Sequence, residues 1–101
     1  MTATGVPELD PVIHVQARLR VMVALSELDT DETIAFPRLR GLLEMTAGNL
    51  SVHLRKLEEA GYVTVTKTFQ RRTPVTLVAL TGPGREAFER YVTTLRALLP
   101  S

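Results

Sequence analysis

The patterned part of the chain begins at Asp10-Pro11, an N-cap residue followed by proline at the first helical position, and the spacing predicts helix one over about 11–28. Val12, Val15, Leu19, Met22 and Val23 mark one face, while Ile13, Val21, Ala24, Leu25 and Leu28 widen the apolar surface far beyond one stripe. A helix apolar on two sides needs two packing partners. The polar turn LDTDET (28–33) ends it, Ile34-Ala35-Phe36 suits a short strand, and Pro37 opens helix two with Leu39, Leu42 and Leu43 inward and Arg38 and Arg40 outward. Met45-Thr46 is a tight connection to helix three, about 47–60, where Leu50, Leu54 and Leu57 recur at i, i+4, i+7 with Ala47 and Ala60 near the ends. The Thr46 hydroxyl caps its start, Gly61 supplies a left-handed C-cap, and Tyr62 begins a strand. Tyr62 to Phe69 alternates, Val75 to Leu80 is β-branched and apolar, and 70–74 is the hairpin loop between them. Thr81-Gly82-Pro83 caps helix four, whose Phe88, Tyr91, Val92, Leu95, Leu98 and Leu99 sit near heptad spacing. These elements make one α+β, mainly α, domain over 10–101, with 1–9 as a flexible N-terminal tail.

Away from its leucine stripe, helix three carries Asn49, Ser51, Val52, Arg55, Lys56 and Glu59, a mix of amide, hydroxyl and cation able to hydrogen-bond to base edges and phosphates. The net charge of +1 says little by itself, but its distribution does. Residues 1–35 set Arg18 and Arg20 against six acids, a net −4; residues 36–74 set Arg38, Arg40, Arg55, Lys56, Lys67, Arg71 and Arg72 against Glu44, Glu58 and Glu59, a net +4. The positive excess therefore sits where the polar helix face and the hairpin sit, as an electrostatic footprint for DNA would.

The run Ser51, His53, Leu54, Leu57, Ala60, Gly61, Tyr62, Val63 resembles the recognition helix of ArsR-like and MarR-like winged-helix transcriptional regulators. Lys67, Phe69, Arg71, Arg72, Pro74 and Thr76, followed by Leu80-Thr81-Gly82-Pro83-Gly84-Arg85, resemble the wing and the start of the last helix in a short MarR-like subgroup; Arg18 to Val21 resemble its first helix. The likeness covers about residues 10–99. It implies a winged helix-turn-helix: a three-helix core, a β-hairpin wing and a C-terminal dimerisation helix. It also implies a homodimer through the first and last helices, with Val12, Ile13, Phe88, Tyr91, Val92, Leu95 and Leu99 as candidate interface residues. Asn49, Ser51, Val52 and Arg55 are the candidates for base-edge contact, and Arg38, Arg40, Lys56, Lys67, Arg71 and Arg72 for backbone or minor-groove contact. Helix three is expected in the major groove and the wing, about 67–74, at the minor groove of double-stranded DNA. Small ligands near the dimer interface are a family habit, but no polar cluster within helices one and four identifies an effector.

Other classes find little support. The absence of cysteine excludes disulfides, thiolate metal sites and thiol redox sensing. Two distant histidines, His14 and His53, without clustered carboxylates argue against a metal, and no cofactor motif occurs. Ser51 and His53 lie about 200° apart around a helix and form no catalytic pair, and no nucleophile elbow or phosphate loop appears, so no enzyme is expected. His53 borders the leucine stripe and is expected to pack, half buried, against strand or wing. The N-terminus lacks a basic, apolar leader and no run nears the roughly 18 apolar residues of a membrane span, so a cytoplasmic protein is expected. The alternative is a winged-helix protein-interaction module without sequence-specific DNA binding, its basic surface meeting an acidic partner.

Overall fold

A computed structural model describes residues 8–100. Its order is α1 (Gln16–Ser26), β1 (Ile34–Ala35), α2 (Phe36–Leu43), α3 (Ala47–Glu59), β2 (Val63–Gln70), β3 (Thr73–Leu80) and α4 (Gly82–Leu98). The strands form an antiparallel sheet in the order β1-β3-β2, with Ile34 opposite Val78 and β2 paired to β3 from Val63↔Leu80 to Gln70↔Thr73. This is the expected winged helix-turn-helix, mainly α, with a hairpin wing.

Most of the expected tail, residues 1–7, lies outside the described residues; Leu9 packs against the core. Helix one starts later than the Asp10-Pro11 signal suggests. Asp10 caps a separate turn instead: its Oδ1 accepts from the N–H of Val12 at 2.8 Å, and its carbonyl accepts from His14 N at 2.7 Å. Val15 is then extended, with φ −133° and ψ 125°. The Val12 carbonyl, which a continuous helix would have used internally, accepts from Arg18 Nε at 2.6 Å.

That turn drives Ile13 into the core, where it joins Val21, Met22 and Leu25 of α1, Leu39 and Leu43 of α2, the α3 stripe, Val63, Val78, and Ala87 and Tyr91 of α4. Two candidate interface residues, Ile13 and Tyr91, are thus buried within their own chain and have almost no surface left for a partner. The last helix completes the core rather than packing outside it. The two-sided apolarity of helix one resolves into a buried face and an outer one that leaves Val23 46% exposed. Leu42, expected inward, is 59% exposed, because Leu39 and Leu43 already fill the inner side of α2.

The hairpin loop is only Arg71-Arg72, not 70–74. Both residues have positive φ, 50° and 69°, the signature of a type I′ turn whose twist matches the flanking strands. Gln70, Thr73 and Pro74 belong to the ladder. Proline is tolerated at 74 because β1 reaches only Leu77 and Val78, leaving β3 an open edge farther out.

Candidate nucleic-acid interface

Helix α3 is held at both ends. The Thr46 hydroxyl accepts from Asn49 N at 3.1 Å, satisfying one of the four free N–H groups at the helix start. At the other end Gly61, at φ 82°, closes a Schellman motif: its N–H reaches Glu58 O at 2.9 Å, and Tyr62 N reaches Leu57 O at 2.9 Å. Because Leu50, Leu54 and Leu57 are buried, helical periodicity turns Asn49, Ser51, Val52, Arg55 and Lys56 outward, and all five are exposed.

The junction after α3 is clamped from two directions. Thr81 donates its N–H to Tyr62 O at 3.0 Å and its hydroxyl to Gly61 O at 2.7 Å. Gly84 of α4 packs so closely on Tyr62 that an added Cβ would overlap the Tyr62 carbonyl. From the N-terminal side, Asp10 Oδ2 accepts from the Tyr62 hydroxyl at 2.5 Å. This hydrogen bond, helped by burial and by the Asp10 charge and opposed by Arg90, holds the Tyr62 hydroxyl above the usual tyrosine range. The exit of α3 is therefore fixed to both terminal segments of the domain.

Between α3 and the sheet lies an open cleft of about 380 Å³. Ser51, Leu54, Arg55 and Glu58 form its helix wall, and Phe36, Val65, Lys67 and Thr76 complete the lining. The structure thus brings together three predicted DNA contacts, Ser51, Arg55 and Lys67. Glu58 and Thr76 were missed by sequence reasoning. The leucine stripe defines the outer face of α3 but not which flank meets the wing, and Thr76 enters only through its pairing with Lys67. Glu58 sets a carboxylate acceptor beside Arg55, a combination suited to base edges rather than to phosphate alone.

Lys56 lies outside this cleft on α3, Arg38 and Arg40 are exposed on α2, and Arg71 and Arg72 are exposed at the wing tip. Three cations elsewhere are spent on the fold. Arg20 Nη2 donates to Leu43 O at 2.7 Å at the end of α2, Arg85 Nη2 to Leu28 O at 2.9 Å after α1, and Arg18 serves the N-terminal turn. The charge asymmetry of the sequence is thus also a division of labour, with all seven cations of 36–74 left exposed.

His53 is half buried as expected, but toward α1 rather than strand or wing. It shares a surface depression with Val15, Gln16, Ala17, Arg20, Met45 and Asn49. His14 pairs its Nδ1 with the Tyr91 hydroxyl at 2.8 Å. Among the described residues no group of three or more His, Asp or Glu is arranged to hold a metal, and no helix is long and apolar enough to cross a membrane.

A family model described as winged helix DNA-binding domain matches residues 17–99. An uncharacterized protein of Methanocaldococcus jannaschii is 36% identical over 75 residues, covering 74% of this chain and 78% of that protein. The solved transcriptional regulator homologue from Pyrococcus horikoshii OT3 is 31% identical with a TM-score of 0.77, over 86% of this chain and 83% of that one. A MarR family transcriptional regulator from Silicibacter pomeroyi superposes with a TM-score of 0.66 at 23% identity, over 85% of this chain and 55% of that one, a likeness of fold alone.

Proposed function

We propose that this chain, which belongs to the winged helix DNA-binding domain family, is a transcriptional regulator that binds specific duplex sites as a homodimer, with α3 in the major groove and the hairpin at the minor groove. One observation carries the reading: Ser51, Arg55 and Lys67 converge on a single cleft, and every cation of 36–74 is exposed. Asn49, Ser51 and Arg55 offer hydrogen bonds to base edges, and the exposed Val52 offers methyls to thymine. Lys56, Arg38, Arg40, Lys67, Arg71 and Arg72 neutralise phosphates, the last two from the wing tip where a narrow minor groove deepens the negative potential.

The dimer rests on the outer flank of α4. Phe88, Val92 and Leu95 are only half buried, Leu99 is 57% exposed, and Val12 lies half buried on the N-terminal turn. A two-fold seam along this flank sets two α3 helices about 34 Å apart, one helical turn of DNA.

The test is binding of the purified chain to a random-sequence duplex at low salt, followed by selection of its preferred site. A DNA reader binds detectably even without its operator. An unbound duplex would instead favour a protein-interaction module. Leu95→Glu, which sets an unpaired carboxylate in the seam of each copy, is expected to yield folded monomers by light scattering and circular dichroism, with operator binding lost and weak non-specific binding retained. A Leu95→Glu protein that stays dimeric would move the interface elsewhere.

A further inference from the structure

The outer wing carries one large apolar side chain that neither the core nor the cationic contacts explain. Beyond Val65 every residue of β2 is exposed, and Phe69, at 69%, is the most exposed large hydrophobic among the described residues. A hairpin tip facing only water gains nothing from a phenyl ring there.

The pleat decides which way the ring faces. Val63 is buried in the core, and Val65 and Lys67 line the cleft opposite Ser51 and Arg55. Phe69 is the next position of the same parity, about 7 Å beyond Lys67, and it pairs with Pro74 as Lys67 pairs with Thr76. It therefore stands on the face of the hairpin turned toward α3, between Lys67 on one side and Arg71-Arg72 on the other. Cations on both sides fit a polyanion; an apolar protein partner would have to strip them of water.

We infer that Phe69, backed by Pro74, is an apolar wedge that enters the minor groove of the duplex held by α3 and the wing. The arginines at the turn hold the phosphates while the ring presses between adjacent base pairs. Unstacking is cheapest at flexible pyrimidine–purine steps, so the wedge makes the protein prefer a TA or CA step at a position no hydrogen bond reads. This inference rests on the DNA-binding reading above.

The experiment compares the wild type, Phe69→Ala and Phe69→Trp on short duplexes with either a TA step or a G·C step under the wing. Phe69→Ala is expected to lose roughly tenfold to a hundredfold in affinity, as a deleted buried phenyl would. It should also lose the TA preference, and it should keep the salt slope because no charge has gone. Phe69→Trp is expected to keep both, and its indole, the sole tryptophan of the chain, to be shielded from acrylamide when DNA is added. Wild-type-like affinity of Phe69→Ala, or an indole still open to quencher in the complex, would overturn the wedge while leaving the DNA reading standing. If Phe69→Ala melted at lower temperature with the step preference intact, Phe69 would be a hairpin pair with Pro74 and no wedge. A wild type that binds no duplex at low salt would remove both readings together.

Discussion

Helix α3 and the wing offer cations to the same side of the molecule, yet their positions are maintained by different physics. α3 is rooted in the core by Leu50, Leu54 and Leu57, at 0%, 3% and 0% exposure, and is fixed at both ends by Thr46 and Gly61. The outer wing has only its ladder, from Thr66↔Leu77 to Gln70↔Thr73, and a turn of two arginines in left-handed backbone that Asn-Gly would occupy at lower cost. Strain of order 1 kcal/mol at each such residue persists where something other than stability selects it. The contrast teaches that the contacts of α3 cannot be displaced without disturbing the fold, whereas those of the wing can.

The largest effect expected from this contrast is at the root of α3. Leu54→Ala should cost about 2–5 kcal/mol, enough to unfold much of a domain this small, and loss of DNA binding would follow from loss of structure. Thermal denaturation followed by circular dichroism reads it; an unchanged melting curve would mean that α3 is not anchored by its stripe.

A smaller effect lies at the junction behind α3. The folded chain holds the Tyr62 proton more tightly than the unfolded chain, because ionising Tyr62 would break its hydrogen bond to Asp10 and leave a partly buried phenolate facing the Asp10 carboxylate. The stability from this pair is therefore complete below the ordinary tyrosine value near ~10 and is lost as pH climbs through the raised folded value. Tyr62→Phe should cost about 1 kcal/mol at neutral pH and flatten that alkaline decline. Denaturant titrations across the alkaline range decide it: parallel wild-type and mutant curves would contradict the pairing. The smallest effect on the fold is expected from Arg55→Ala, which should change stability by no more than about 0.5 kcal/mol while weakening DNA binding. A marked fall in melting temperature with full DNA binding would mean that the faces of α3 are reversed.

What was legible in the sequence follows from range. The leucine stripe, the Thr46 and Thr81 caps and the Gly61 stop are set by neighbours within a turn or so, and the elements they imply lie where expected. The late start of α1 was hidden because Asp10 also answers to Tyr62, 52 residues away. Tyr91 has heptad spacing that suits a seam, yet its side chain is buried in the core with Ala87, and its hydroxyl meets His14 of the N-terminal turn. The hairpin is tighter than the local sequence suggests because Pro74 and, more weakly, Thr73 read as turn formers, while Arg71 and Arg72 have no preference for positive φ. Of the candidate site, the exposed face of α3 could be read from periodicity. The cleft it shares with Lys67 required the register of β2 on β3.

The central claim, that the face shared by α3 and the wing binds DNA, is tested most directly by the salt dependence of duplex binding in the wild type and in Arg71→Asn/Arg72→Gly. The variant relieves the turn while removing two cations, so its fold should be at least as stable as the wild type. Its slope of log affinity against log salt is predicted to be shallower by about 1–2, because each lost phosphate contact removes roughly 0.9. Equal slopes for the two proteins would contradict the account, leaving the arginines at the wing tip without a part in DNA binding.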